Sequence, residues 1–277
     1  MDASANPRFQ YRDIKPHIGA EILADKPTLL GGDFAEEIRS LLELKGVLVF
    51  PKIHFNDEEQ ARFTNTLGTL AEERGGETIY KVTLDKSVTA TADYLKGAFY
   101  WHFDGYMNHV PIRASILSSK VLSATGGDTE FANTYAAYDA LPQERKQQIE
   151  GLRAVHALVS SQLSHTPEPS YEQFMAWRAV GRVELPLVWT HGSGRKSLVL
   201  GNSAVNILGM DPLDGLELLA YLRDWATQER FCYSHTWSVG DTVMWDNTGT
   251  LHRATPYPLD SGRMLHRTKL QGEEPLF

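Results

Sequence analysis

VGDTVMWDNTGTLHRATP, residues 239–256, reads as a turn, a strand, a second turn and then a histidine. Val239-Gly240-Asp241 has turn chemistry, and Thr242 to Trp245 is a short β-branched and apolar run. Asp246-Asn247-Thr248-Gly249-Thr250 is dense in turn residues, and His252 follows it. Comparable short apolar runs recur near 79–83, 98–103, 113–122, 186–190, 197–201 and 231–239, separated by Gly, Pro, Asn and Asp. That spacing predicts an antiparallel sandwich or barrel more than alternating βαβ units.

The first third is mixed. Ile18 to Ile22 and Val47-Leu48-Val49-Phe50 read as strands, the second stopped by Pro51. Asp33 is placed as the N-cap of a helix running through Ile38, and Asn56-Asp57-Glu58-Glu59 opens another that reaches Leu67. Further helices are expected over Thr134–Leu141, from Pro142 to near Gly151, and over 212–227 with Leu216, Leu219, Ala220, Leu222 and Trp225 on its apolar face. The stretch 161–182 reads as a long connection, either a binding lid or a surface excursion. The expected architecture is mostly β with helical decoration around a jelly-roll core: a single domain, 1–277, with a helical and loop insertion at about 134–185.

A chain of 277 residues with 42% hydrophobic and 22% charged residues can bury a core and shape a pocket inside it. The formal net charge of -8, with no Lys/Arg-rich run, argues against a nucleic-acid partner. One cysteine, Cys232, rules out an internal disulfide and any Cys-x-x-Cys metal or redox pair. The N-terminus does not read as a secretory signal, and no stretch approaches the roughly 18 apolar residues of a membrane span. A cytoplasmic protein with no membrane partner is expected.

The second informative stretch is YWHFDGYM, residues 100–107. If it is a strand, His102 and Asp104 project from one face and Phe103 from the other. One imidazole and one carboxylate form two-thirds of the 2-His-1-carboxylate triad of non-haem iron(II) oxygenases. Ten histidines and 35 acidic residues make about one such triplet expected by chance, so a simple histidine–aspartate hydrogen bond is the better reading of the triplet alone. A third ligand is needed. His252, presented by the strand and turn of the first stretch, is the candidate, although a lone histidine is more often structural. His17, His54, His109, His156, His165, His191, His235 and His266 lack a comparable acidic neighbour in sequence and are taken as structural.

Arg263 and Arg267, in GRMLHRTKL, share a face if that segment is a strand. Each can grip a carboxylate with two parallel hydrogen bonds. The competing reading is a surface ladder paired with Asp or Glu. Gly201-Asn202-Ser203-Ala204-Val205 lacks the second glycine of a nucleophile elbow, and Gly192-Ser193-Gly194-Arg195-Lys196 lacks the spacing of a phosphate loop and reads as a hairpin turn.

Taken together, WHFD (101–104), GGDTEFAN (126–133), AAYDALP (136–142), WDN (245–247), LHRATP (251–256) and RMLHR (263–267) resemble the Fe(II)/2-oxoglutarate-dependent dioxygenases of the taurine dioxygenase and 2,4-dichlorophenoxyacetate dioxygenase group. The resemblance runs from about Gly19 to the C-terminus. It implies a double-stranded β-helix, a distorted jelly roll, with His102, Asp104 and His252 as iron ligands. It implies that Thr129 and Arg263 hold the far carboxylate of 2-oxoglutarate and that Arg267 holds the anionic group of the substrate. The implied chemistry consumes O2 and 2-oxoglutarate, releases succinate and CO2, and hydroxylates a small anionic molecule, cleaving it where the attacked carbon bears an ether oxygen. Relatives are commonly dimers or larger, so a homo-oligomer is expected.

Two departures bear on the substrate. The taurine enzymes carry a histidine upstream of H-x-D that contacts the sulfonate, whereas no histidine lies between Thr69 and Trp101 here. After Asp104 the chain reads Gly105-Tyr106-Met107 rather than the Val-Thr-Phe type. EFANTYAAYDALP, EGLRAVH, THGSGRKSL and Leu95-Lys96-Gly97 sit closer to the phenoxyalkanoate-degrading members. With Tyr100, Tyr106 and Met107 in the pocket wall, an aryloxyalkanoate-like or other bulky carboxylic acid is the expected substrate. A sulfonate or sulfate ester is the alternative, and a non-redox metal-dependent hydrolase using the same triad is a further one.

Overall fold

The computed structural model describes residues 9–73, 76–89 and 92–276. The described chain opens with β1 (Tyr11–Asp13), β2 (Ala20–Ile22), α1 (Lys26–Gly31), α2 (Ala35–Lys45), β3 (Val47–Phe50) and α3 (Asp57–Leu67). β4 (Leu70–Ala71) and β5 (Tyr80–Val82) follow, then a 3-10 turn (Tyr94–Phe99), β6 (Ala114–Val121) and β7 (Thr129–Asn133). The middle section holds α4 (Thr134–Asp139), α5 (Gln143–Ile149), β8 (Arg153–Ala157), α6 (Leu158–Leu163), α7 (Tyr171–Ala179), β9 (Arg182–Pro186), β10 (Val188–Thr190), β11 (Lys196–Leu198), β12 (Ala204–Ile207) and α8 (Pro212–Ala226). β13 (Cys232–His235), β14 (Thr242–Asp246), β15 (Thr250–Ala254) and β16 (Met264–Leu270) complete it.

The strand alternation sorts the side chains into layers. Val47 and Val49 of β3, Val243 and Trp245 of β14, and Leu265 of β16 pack with Phe131 of β7 in one cluster. Leu48 and Phe50, Met244, and Ile116 of β6 lie on the other face with Ile38, Leu41, Leu42, Phe63 and Leu67 of the N-terminal helices. The large sheet, β1-β2-β3-β14-β6-β16-β4, is therefore covered by helices on one side. Its other side meets the three-stranded sheet β13-β7-β15. A third layer, built on β8, β9, β12 and α8, closes over the small sheet around Ile149, Leu185, Leu218 and Leu222.

The turn after β14 transfers the chain between sheets. β14 pairs with β3 and β6 in the large sheet, and β15 pairs with β7 in the small one. This is the corner of a jelly roll, and it carries His252 beyond strand β14 and its turn, on β15.

Several local expectations change. Asp33 does not cap α2, whose N-cap position is Phe34 with no side-chain bond, and an additional helix, α1, is capped by Asp25 through the Thr28 N–H. Asn56 does cap α3, and with Glu59 it makes a full capping box. Leu216 of α8 is 48% exposed, and the buried face runs through Gly215, Leu218, Leu219, Leu222 and Ala226. The stretch 161–182 contains the end of α6 and all of α7, a helix that buries none of its residues. Among the described residues no helix is long and apolar enough to cross a membrane.

Candidate metal centre

His102 does not lie on a regular strand. It forms an isolated antiparallel bridge with His252, the two residues exchanging backbone hydrogen bonds of 3.1 and 2.9 Å. Residues directly opposite in such a pair project side chains to the same face. The two imidazole rings accordingly lie 4.2 Å apart, centre to centre, and Trp245 flanks His252 at 4.7 Å. Phe103 points away into the third-layer core.

Asp104 begins a turn spanning 104–107, so the alternation argument does not place it. Asn247 does. Its carboxamide accepts from the Asp104 N–H and donates to the Asp104 carbonyl, both at 2.8 Å, and donates to the Ile112 carbonyl at 3.2 Å. A buried side chain thus supplies the pairing that a neighbouring strand would give. Gly105, at φ 75°, lets the chain turn immediately afterwards.

His102 Nε2 lies 3.8 Å from Asp104 Oδ1 and His252 Nε2 lies 4.0 Å from Asp104 Oδ2. One donor atom from each residue falls within 4.8 Å of the others, which fits three ligands around one cation. The donor chemistry fits as well. The Tyr100 carbonyl, 2.9 Å from His102 Nδ1, accepts a hydrogen bond from Nδ1–H, which holds the proton there and leaves the Nε2 lone pair to the centre. Burial, then the neighbouring His102, pushes the His252 imidazole down to about 3. Burial works to raise the Asp104 carboxyl, but Arg267, His252 and His102 outweigh it and hold it at about 2. At neutral pH, then, His252 is neutral and Asp104 ionised, the states in which each binds a metal.

Two arginines lie at and within the last strand, and the second of them, Arg267, touches the triad through Asp104. Arg263 immediately precedes β16 and is 3% exposed. Its Nη2 donates to the Gly127 carbonyl at 2.8 Å, the Tyr257 ring lies 4.6 Å from its guanidinium carbon, and its Nε is buried without a partner. Among the described residues no carboxylate forms an ion pair with it. Thr129 begins β7 two residues after Gly127, and its hydroxyl accepts from Trp237 Nε1 at 3.0 Å. Arg267, within β16, meets Glu73 through Nε and Nη2, at 3.1 and 3.2 Å, and Asp104 Oδ2 through Nη1 at 3.1 Å.

Tyr106 packs against Phe103 and His156, and Met107 is half-buried near Gly181. Tyr100 contributes its carbonyl to the centre, while its residue lines a separate cavity of about 1000 Å³ shared with Trp101 and Arg253 and bordered by none of the triad. Sequence reading missed Glu73, Tyr257, Trp237 and the role of Asn247. It also missed the carboxylate neighbours of His191, His235 and His266, which are Glu274, Asp241 and Asp57 at 3.2, 3.2 and 2.6 Å.

Comparison with known proteins places the chain in a family. A family described as "Taurine catabolism dioxygenase TauD, TfdA family" matches residues 10–269. The chain belongs to that family. It is 37% identical over 256 residues to the alpha-ketoglutarate-dependent 2,4-dichlorophenoxyacetate dioxygenase of Cupriavidus pinatubonensis, covering 86% of this chain and 88% of that one. It is 36% identical to the (S)-phenoxypropionate/alpha-ketoglutarate-dioxygenase of Sphingobium herbicidovorans, covering 97% and 96%. The crystal structure of AAD-2 in complex with Mn(II) and N-oxalylglycine superposes with a TM-score of 0.83 at 33% identity, covering 98% of this chain and 100% of the other. This TauD/TfdA protein is therefore a 2-oxoglutarate-dependent dioxygenase, an oxidoreductase with the family's jelly roll that uses Fe(II) and O2.

Proposed function

We propose that His102, Asp104 and His252 hold the ferrous ion, that Arg263 and Thr129 hold the far carboxylate of 2-oxoglutarate, and that Arg267 positions an aryloxyalkanoate-like carboxylic acid for hydroxylation. The observation that carries this reading is the convergence of three ligand atoms within 4.8 Å; beside it stands the burial of Arg263, which no carboxylate pairs among the described residues. A buried guanidinium without a counter-ion is costly, and a keto acid's carboxylate answers it. His102, Asp104 and His252 would hold the iron, which when bound would supply the O2 chemistry that links decarboxylation of 2-oxoglutarate, to succinate and CO2, with hydroxylation of the substrate.

The chain's own part is placement. Asn247 fixes Asp104, the Tyr100 carbonyl fixes the His102 ring, and the Arg267 guanidinium faces Asp104 at 3.1 Å, where it can orient an anionic head group beside the centre. Trp245 flanks His252 with apolar surface that excludes water. Gly105, Tyr106 and Met107 follow Asp104 directly, and we assign them to the substrate side. The same proposal takes the whole chain as one dioxygenase domain, cytoplasmic and homo-oligomeric, acting on a small molecule with no nucleic-acid or membrane partner.

A substrate panel tests it. Phenoxyalkanoates, sulfonates, alkyl sulfates and fatty acids are compared by succinate release with Fe(II) and 2-oxoglutarate. Phenoxyalkanoates should give the fastest turnover; a faster sulfonate or alkyl sulfate overturns the substrate assignment. Substrate conversion without succinate overturns the oxygenase reading in favour of a hydrolase. Metal titration of His102→Ala should show lost iron binding, and unchanged binding removes His102 from the ligand set.

A further inference from the structure

We propose that Glu73 sets both the aim and the charge of the subsite that receives the substrate's head group, restricting it to a single monoanion; this deepens, and rests on, the role given to Arg267 above. Glu73 lies two residues beyond β4 and is 7% exposed. Arg267 and Lys269 lie two apart on β16, on the face shared with Leu265 that turns toward the small sheet. Glu73 takes Arg267 side-on, Oε1 from Nε at 3.1 Å and Oε2 from Nη2 at 3.2 Å, and the Lys269 ammonium lies 2.8 Å from Oε2. The Tyr80 ring, directly opposite Arg267 in the β5–β16 ladder, stands 5.1 Å from the guanidinium carbon.

Two consequences follow. A guanidinium held along one edge cannot turn, so its remaining nitrogen, Nη1, which donates to Asp104 Oδ2, is fixed on the side of the centre. Charge is also set: with the Asp104 carboxylate counted toward the metal it would hold, the two cations Arg267 and Lys269 share Glu73, leaving one net positive charge for the head group. One carboxylate satisfies that excess, and a dianion overfills it. Glu73 is thus a positioning residue, acting on the substrate through Arg267.

The test compares wild type with Glu73→Gln, which keeps the shape and removes the charge. Binding of phenoxyacetate, a monoanion, and phenyl phosphate, a dianion near neutral pH, is measured by calorimetry on the Mn(II)-loaded protein with 2-oxoglutarate. Coupling is measured separately on the Fe(II) enzyme as product formed per succinate released. In Glu73→Gln the preference for phenoxyacetate over phenyl phosphate should fall about ten-fold, as expected for one close, partly buried charge. Coupling should drop while the KM for 2-oxoglutarate stays unchanged, a split that general loosening of the fold would not give. Unchanged preference and coupling in a folded, metal-binding variant overturn the proposal.

Lys269→Met provides a second arm if Glu73→Gln does not fold. It keeps the side-on pair and cancels the net charge, so phenoxyacetate affinity should fall about ten-fold with coupling retained; retained affinity, or lost coupling, overturns the proposal. Failure of the underlying reading is separate and visible in wild type alone, as a protein that neither binds nor turns over any phenoxyalkanoate.

Discussion

Arg263 and Arg267 stand four residues apart at the start of and within one strand, yet they meet opposite surroundings. Arg263 is buried against a glycine carbonyl and a tyrosine ring, with Nε unpaired and no carboxylate partner among the described residues. Arg267 is wrapped by Glu73 and Asp104. The sequence offers two equivalent anion-binding groups, and the fold makes one a cation that awaits an anion and the other a cation already committed to two. On the proposed function the first serves the keto acid and the second links substrate, Asp104 and Glu73.

The largest effect that could break this contrast is at Arg263. Truncating one partner of a buried charge pair typically costs about 2–5 kcal/mol, so Arg263→Ala should raise the KM for 2-oxoglutarate by roughly 100-fold. The KM for the prime substrate and the metal affinity should barely change. Succinate release as a function of each compound reads both. Equal changes in both KM values, in this variant and in Arg267→Ala, would end the division of roles.

Next comes Arg267→Ala. Groups that orient a metal ligand commonly contribute 10–100-fold to metal affinity, and Nη1 of Arg267 stands 3.1 Å from Asp104 Oδ2. Metal affinity should therefore fall by about 10-fold or more, with a higher KM for the prime substrate and little change for 2-oxoglutarate. Titration with Mn(II) decides it: metal affinity equal to wild type would mean that Arg267 serves the substrate alone.

The contrast also marks what a sequence can carry. The layered core is legible because strand alternation is local: Val47 and Val49 face one cluster, Leu48 and Phe50 the other. The capping box at Asn56 is local as well. His102, Asp104 and His252 could be named because the surrounding motifs occur together and resemble one family; the H-x-D triplet alone, expected about once by chance, would not have singled them out. The cause of their convergence could not be named, since His102 bridges to a residue 150 positions away and Asp104 is held by Asn247 across 143 positions. Glu73 escaped for the same reason, lying 194 positions from Arg267 with nothing in LAEER to mark it. Helix α7 was missed for another: it buries none of its residues, so no apolar periodicity announces it.

Gly127→Ala sharpens the Arg263 half without touching its charge. Gly127 has φ 80°, and an added Cβ would stand 2.8 Å from Arg263 Nε. The left-handed backbone alone costs about 1–2 kcal/mol, which in a chain of this size lowers the Tm by a few degrees. Displacing the guanidinium should raise the KM for 2-oxoglutarate about 10-fold while metal affinity holds, because the glycine touches none of the triad. A lower Tm with an unchanged KM would show that Arg263 need not sit where it does.

The smallest effect expected is at Thr129. Trp237 Nε1 donates to its hydroxyl oxygen at 3.0 Å, so the hydroxyl's own proton is free for a different acceptor. A keto-acid carboxylate beside Arg263 would be that acceptor. Thr129→Val removes one hydrogen bond to a charged group, roughly 1 kcal/mol or somewhat more, and should raise the KM for 2-oxoglutarate about five-fold. It also strands the buried Trp237 N–H, so stability falls too, and KM alone would not separate the two causes. Thr129→Ser restores the hydroxyl without the methyl and should return both KM and Tm toward wild type. If Thr129→Val lowers stability but leaves the KM unchanged, the threonine serves only Trp237, and Arg263 carries the keto acid's far carboxylate without it.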